Sequence, residues 1–302
     1  MSDLKTTISS LKTTFYPAKL LLFGEHTVLQ GSQALALPLP KFGGSWQFSD
    51  DKTLQYNLSD FMIYLKNLVE KSEISLNTEG GTNLLSQGLH FKSNIPNGYG
   101  VGSSGALVAA LYDVFCENKT TNLAELKMIL GRMESFFHGE SSGFDPLVCY
   151  IQKPVLIKKD RSLAVLEDIK NDVSIFLLDT GIPRKGENMI RLFSEKSQNT
   201  AFKDLVINDL LPNIDDAIAC FLQNEPNLLF ETVHKISLFQ YRYFPEAVPL
   251  SHKNVWLEGL NSDVYKLKLC GSGGGGFILG FCLDVKEAKK MLVKLGFKMI
   301  VI

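Results

Sequence analysis

The amino-acid sequence predicts a mixed helix-and-strand fold that is not a regular βαβ array, and three observations predict it. Strand-like and helix-like segments follow one another without a fixed βαβ period. Two glycine-rich loops, one opening a helix and one joining two apolar strands, hold nine of the 24 glycines. The charged stretch 158–172 is followed by a new, strand-first pattern and is therefore the expected domain boundary.

Taken in order, residues 19–23 form a short apolar run ending in Gly24-Glu25-His26, and an apolar stretch resumes over 33–38 after the turn Gln30-Gly31-Ser32. Residues 60–71 carry helical apolar spacing. The segment Pro96-Asn-Gly-Tyr-Gly-Val-Gly-Ser-Ser-Gly-Ala106 then runs straight into the helix-forming stretch 107–115. Residues 123–138 are helical again, with Asn122 as N-cap. Residues 173–178 read as a buried strand closed by Asp179-Thr180-Gly181, and 208–222 as a helix. The C-terminal part alternates strand 265–269, glycine loop, strand 277–282, helix 286–295 and strand 298–302.

Composition limits the function classes. A chain of 302 residues has room for one large domain or two ordinary ones. With 31 basic against 32 acidic residues there is no electrostatic footprint for nucleic acid, and no Lys/Arg block suits an anionic membrane. Residues 1–14 are rich in Ser, Thr and Lys without a continuous apolar core, and no apolar run approaches the roughly eighteen residues of a membrane span. A soluble, cytoplasmic protein is expected. The five cysteines (116, 149, 220, 270, 282) include no Cys-x-x-Cys pair and are expected as buried, reduced thiols.

Chemistry concentrates in three places. In the first loop, glycines 98, 100, 102 and 105 let backbone N–H groups approach an anion, and the positive end of the following helix adds its partial charge. The pattern also fits a dinucleotide fingerprint, but Ser93, Asn94, Pro96 and Asn97 precede it where that fingerprint needs a buried strand. A Walker A loop is excluded by the absence of a lysine after Gly102. On its own the loop is equally readable as a glycine-rich turn. The second loop, Cys270-Gly-Ser-Gly-Gly-Gly-Gly276, joins two strands, where a floppy tether has no use; a tight turn without ligand stays open. Third, Glu134 and His138 share a helix face, and the chain passes from there through 139–143 to Asp145. A carboxylate near a phosphate loop can hold Mg²⁺ together with a serine hydroxyl, and a second carboxylate can accept a hydroxyl proton. Taken singly, Glu134 reads as a solvated helix residue, Asp145 as a loop or N-cap acid and His138 as a packing or hydrogen-bonding residue.

Three motifs in order carry a family resemblance: Pro17-Ala-Lys-Leu-Leu-Leu-Phe-Gly-Glu-His-Thr-Val-Leu-Gln-Gly31 followed by Ala34-Leu-Ala36, then 96–106, then 268–276. Together they resemble the signature motifs of the GHMP small-molecule kinases, and the segment Glu134-Ser-Phe-Phe-His-Gly-Glu-Ser-Ser-Gly-Phe-Asp145 resembles the acidic helix of the mevalonate kinases among them. The resemblance implies an α+β fold of two domains, an N-terminal ribosomal-protein-S5-domain-2-like domain at 1–168 and a C-terminal ferredoxin-like domain at 169–302. It implies ATP and Mg²⁺ as cofactors, with Ser104 and Glu134 on the metal. Pro96, Gly98, Gly100, Gly102, Ser103, Ser104 and Gly105, with Gly273 and Gly274, would contact the nucleotide. Asp145 would be the base or orienting acceptor for the substrate hydroxyl, and Lys19 would pair with it and lower the hydroxyl pKa. Glu25, His26, Thr180 and Ser272 would line the acceptor side, although a structural role in the turn stays open for Glu25.

The chain departs from the family pattern at Ala18 and Gly105, where glycine and alanine are usual, and at Ser272, where alanine is common. The implied activity is phosphorylation of the primary hydroxyl of mevalonate, with no nucleic-acid or membrane partner and a homodimer allowed. Phosphomevalonate, a galactose-like sugar or homoserine as acceptor, a related diphosphomevalonate decarboxylase and a non-catalytic ligand-binding paralogue remain alternatives. Against the sugar stands Val28, where galactokinases continue Gly-Glu-His-Thr with an aspartate.

Overall fold

A computed structural model describes residues 14–50, 56–167, 169–184 and 189–302. The N-terminal segment 1–13 and residue 168, at which the expected domain boundary falls, lie outside the described residues. The chain forms two compact units. One comprises the described residues up to Lys19 with Pro38–Pro96 and Val101–Lys153; the other comprises Leu20–Leu37, Asn97–Gly100 and Pro154–Ile302. Strands β1 (Tyr16–Phe23) and β2 (Ala34–Phe48) each run from one unit into the other. The fold is α+β with two domains.

In the first unit, the distal half of β2 pairs antiparallel with β3 (Leu89–Ser93), Gly44 opposite Ser93 and Phe48 opposite Leu89. Helices α1 (Tyr56–Glu70) and α2 (Thr78–Ser86) precede β3, and Asn77 caps α2 through its side chain. Next come α3 (Ser103–Phe115), α4 (Leu123–His138) and α5 (Phe144–Ile151). Asn122 caps α4 as expected, its side chain accepting from the Ala124 and Glu125 amides. Helix α3 is buried along Ala106, Val108, Ala109 and Ala110, and these small residues let it lie close against α5.

In the second unit, Ala34–Ala36 of β2 pair with β4 (Val155–Ile157), which pairs with β5 (Leu163–Val165). A separate antiparallel sheet has the order β7-β8-β6-β9, formed by β6 (Ser174–Asp179), β7 (Lys266–Leu269), β8 (Phe277–Cys282) and β9 (Met299–Val301). Helices separate β6 from β7 and α11 (Val285–Lys294) separates β8 from β9, so the unit has the β-α-β-β-α-β order of a ferredoxin-like domain. The intervening helices are α6 (Met189–Lys196), α7 (Thr200–Leu205), α8 (Leu211–Leu222), α9 (Pro226–Tyr243) and α10 (Lys253–Leu260), with α9 packed on β7.

Three expectations need correction. The helix expected over 208–222 begins at Thr200, because α7 continues into α8 through a π turn at Val206–Leu210. Pro212 lacks the N–H that a regular helix would give to residue 208, and the wider turn just before it absorbs the mismatch. The apolar stretch at 33–38 belongs to a strand that runs on to Phe48 through Pro38, Pro40, Gly43 and Gly44. Finally, a strand does precede the first glycine loop: β3 ends at Ser93, but it pairs antiparallel with β2, unlike the parallel strand of a dinucleotide-binding unit. All five cysteines are free thiols, Cys220 half-buried and the others buried.

Candidate active site

The first unit brings Lys19, Ser104, Glu134 and Asp145 together. Lys19 is the fourth residue of β1, almost fully buried, and its side chain runs past Gly102, where a Cβ would come within 2.8 Å of Lys19 Cγ. Its Nζ meets Asp145 Oδ2 at 2.8 Å, and Asp145 stays 36% exposed. Asp145 sits in the first turn of α5, where the helix dipole favours a carboxylate. Ser103 and Ser104 open α3 after Gly102, which takes φ +80° as N-cap and supplies no side-chain cap, so the amides of this helix start face outward for an anion.

Glu134, 3% exposed on α4, accepts from Ser104 Oγ at 2.8 Å through Oε1 and from Ser141 Oγ at 2.5 Å through Oε2. Because the Ser104 proton goes to Glu134, His138 Nε2, 3.0 Å away, is the donor to Ser104 Oγ. Burial first, and the Asp145 charge second, push the Glu134 carboxyl up to about 7; the two serine hydroxyls and Lys19 act the other way. The Asp145 charge acting on Glu134 makes an anionic locus that a cation would relieve. Among the described residues no three His, Cys, Asp or Glu side chains form a metal cage. The donor set of one carboxylate and one hydroxyl fits Mg²⁺, which takes few protein oxygens and keeps phosphate and water ligands.

The departure at Gly105 has a local setting. An alanine Cβ there would lie 3.0 Å from Pro146 N and 3.1 Å from Asp145 C, so the start of α5 would have to give by a few tenths of an ångström. Gly105→Ala is therefore expected to lower kcat/KM by on the order of 10-fold through a shift of Asp145, although alanine favours helix by about 1 kcal/mol. An unchanged kcat/KM would show that α5 gives way without moving Asp145.

The second unit organises the other glycines. Gly98 and Gly100 take φ +77° and +73° on either side of Tyr99. Arg184 donates its backbone N–H to Gly98 O at 3.1 Å, and its guanidinium lies where a Cβ on Gly100 would fall. The same guanidinium donates to Cys270 O and, at 3.4 Å, to Gly275 O, so one arginine joins both glycine loops. Thr180 Oγ1 donates to Gly276 O at 2.7 Å, and Gly274 N to Ala247 O at 2.8 Å; Gly273 lies against Ala247. His26, held at φ +66°, stacks on Phe193 at 4.7 Å and donates from Nε2 to Ser272 O at 3.1 Å. Glu25 forms an ion pair with Lys268, both side chains being almost inaccessible, and accepts from Gln240 Nε2 at 3.4 Å.

Sequence reasoning missed Ser141, Arg184, Gln240 and Lys268 as site-forming residues. Lys268 alone left a signal, a lysine between two leucines in a short apolar strand that leads directly into a glycine loop.

Burial drives the His26 pKa down to about 4, with Lys268 and Arg184 adding to the effect. The folded protein thus binds fewer protons than the unfolded chain between the ordinary value of 6.5 and about 4. The stability this contributes is full above pH 6.5 and is lost as pH falls toward 4. Going from pH 7 to 4.5, His26→Gln should lose about 2 to 3 kcal/mol less unfolding free energy than the wild type. Parallel pH profiles in denaturant titrations would contradict a neutral, buried His26.

Residues 64–153 match the model of the GHMP kinases N terminal domain. Among curated proteins the chain has no match. Solved structures share its fold. Mevalonate kinase from methicillin-resistant Staphylococcus aureus is 18% identical with a TM-score of 0.58, covering 94% of this chain and 96% of its own. Streptococcus pneumoniae phosphomevalonate kinase is 15% identical with a TM-score of 0.64, covering 95% and 97%. Lactococcus lactis galactokinase complexed with galactose is 15% identical with a TM-score of 0.67, covering 99% and 97%. At these identities the likeness is one of fold. No helix among the described residues is long and apolar enough to cross a membrane. A match to the GHMP kinases N terminal domain over 64–153 thus lies inside a chain that shares its fold with these kinases along nearly its whole length.

Proposed function

We propose that this chain is an ATP-dependent kinase that phosphorylates the primary hydroxyl of mevalonate to give 5-phosphomevalonate. The observation that carries the reading is the Lys19–Asp145 pair at 2.8 Å, electrostatically coupled to Glu134, whose carboxylate is bonded to Ser104 at the start of α3.

Phosphoryl transfer passes through a loose transition state, so catalysis is mainly positioning and charge neutralisation. In this reading Asp145 accepts the hydrogen bond and then the proton of the attacking hydroxyl, while its oxygen forms the new bond to the γ-phosphorus and the bond to the β-phosphate bridge breaks. Lys19 holds Asp145 and lowers the hydroxyl pKa. Gly102, Ser103, Ser104 and Gly105 at the start of α3 would contact the phosphates, and Ser104 and Glu134 would hold Mg²⁺. A bound Mg²⁺ would supply neutralisation of phosphate charge. Glu25, His26, Thr180 and Ser272 belong to the acceptor side.

The acceptor rests on residue 28. A valine there offers no hydrogen-bond acceptor to a sugar hydroxyl, whereas a small acceptor with one carboxylate, one primary hydroxyl and an apolar methyl suits Lys19, His26 and Val28. Discrimination built on unpaired hydroxyls can reach about 10⁴-fold. ADP release measured across mevalonate, phosphomevalonate, galactose and homoserine should favour mevalonate by at least about 10²-fold in kcat/KM. Any of the others outrunning mevalonate would overturn the acceptor and leave the kinase reading intact; ADP release with none of them would overturn both.

A further inference from the structure

Ser141 has no role in the site as read so far, yet it is the donor to the second oxygen of Glu134, at 2.5 Å. It lies outside α4, in the turn that follows it, and its Oγ also accepts from Gly143 N–H at 3.1 Å. A hydroxyl has one proton, so its orientation is set from both sides: it receives from Gly143 and gives to Glu134.

The turn itself has little freedom. A Cβ on Gly131 of α4 would lie 3.0 Å from Ser141 O, and one on Gly143 would lie 1.9 Å from Lys127 O, so turn and helix meet backbone to backbone. Gly143, at φ +71°, is also the N-cap of α5, whose first turn carries Asp145. Ser141 therefore connects the Glu134 carboxylate to the backbone that launches Asp145.

The consequence concerns which oxygens a metal can use. A carboxylate that binds through both oxygens suits Ca²⁺, which takes many oxygen ligands in flexible geometry. Mg²⁺ demands a near-octahedral shell and uses few protein ligands. With Oε2 taken by Ser141, Glu134 presents Oε1 with Ser104 Oγ 2.8 Å from it. We propose that Ser141 is a positioning residue that restricts Glu134 to a single metal-facing oxygen and so favours Mg²⁺ or Mn²⁺ over Ca²⁺ at the nucleotide phosphates. The proposal rests on the kinase reading above.

The test titrates the full chain with Mn²⁺ in the presence of β,γ-imido-ATP, following free Mn²⁺ by electron paramagnetic resonance, and repeats the titration with Ca²⁺ as competitor. Ser141→Ala should weaken Mn²⁺ binding by on the order of 10-fold, the scale for losing a group that orients a metal ligand, and should narrow the Mn²⁺/Ca²⁺ preference. Ser141→Thr, which keeps the hydroxyl, should stay close to wild type, and binding of the metal-free analogue in EDTA should be the same in all three proteins. Unaltered Mn²⁺ affinity and Mn²⁺/Ca²⁺ preference in Ser141→Ala would overturn the proposal. So would a Ser141→Thr variant as weak as the alanine, or an equal loss in EDTA. If the wild type binds no Mn²⁺ with the analogue, the metal assignment of Ser104 and Glu134 falls together with this proposal. If the wild type binds and Ser141→Ala matches it, only this proposal falls.

Discussion

Asp145→Ala is expected to lower kcat by on the order of 10²-fold to 10⁴-fold while leaving the dissociation constant for ATP nearly unchanged, the scale for removing a positioned acid or base. The effect has two parts. The hydroxyl proton loses its acceptor, and Lys19, only 5% exposed, loses the carboxylate that fixes its Nζ 2.8 Å away. Asp145→Asn separates them, because it keeps shape and a hydrogen bond but removes the charge. Lys19→Met should give a comparable loss, and the double variant should be far from additive, since the two residues act as one unit. Single-turnover rates and nucleotide affinities on the same proteins make the measurement. Either Asp145 variant keeping more than half of the wild-type kcat would remove Asp145 from the chemistry.

The second large effect belongs to Lys268. With Lys268 and Glu25 at 0% and 2% side-chain exposure, Lys268→Met leaves a carboxylate buried without its cation. Breaking such a pair from one side costs about 3 to 5 kcal/mol, whereas replacing both partners by apolar residues is often neutral. Lys268→Met alone should therefore be strongly destabilised in urea, and Glu25→Leu with Lys268→Met should regain most of the loss. A single variant as stable as wild type would mean that water reaches Glu25. The double variant also decides what Glu25 is for. An unchanged KM for the acceptor makes Glu25 a structural residue of the turn at 24–26, and a raised KM with restored stability puts its carboxylate on the substrate.

The elements legible in the sequence are those whose determinants are local. Helix α4 could be read to its ends because Asn122 caps it with its own side chain and Gly139 closes it at φ +76°. Strand β8 was legible as an apolar run bounded by a glycine cluster and Asp284, the N-cap of α11. Strand β2 was not, because two prolines and two glycines in its middle argue against a strand. Its course is fixed from outside. Residues 34–36 are held by β4 and residues 44–48 by β3, while the rings of Phe15 and Phe91 occupy the space that side chains at Gly43 and Gly44 would need. The same holds for α9, whose N-terminus at Pro226 follows Glu225 with no side-chain cap, and whose buried face is defined by β7 and α8.

The sequence by itself determined the chemistry on offer: which glycines can take positive φ, which helix starts with a bare N-terminus, and which acids and lysine accompany it in motif order. It also carried the resemblance to the GHMP kinases, through three motifs in order. Only the tertiary structure decided how those groups are paired. Lys19 meets Asp145 and Lys268 meets Glu25, although each lysine sits in an apolar strand before a glycine and nothing local distinguishes the two. The physical reason is that a buried charge takes its meaning from its partner. Asp145 is 36% exposed at a helix start, so its pair with Lys19 stays accessible to a reactant, whereas Glu25 and Lys268 are enclosed and hold backbone together. Burial and partner are set by contacts across more than a hundred residues of chain, and no window of sequence contains them.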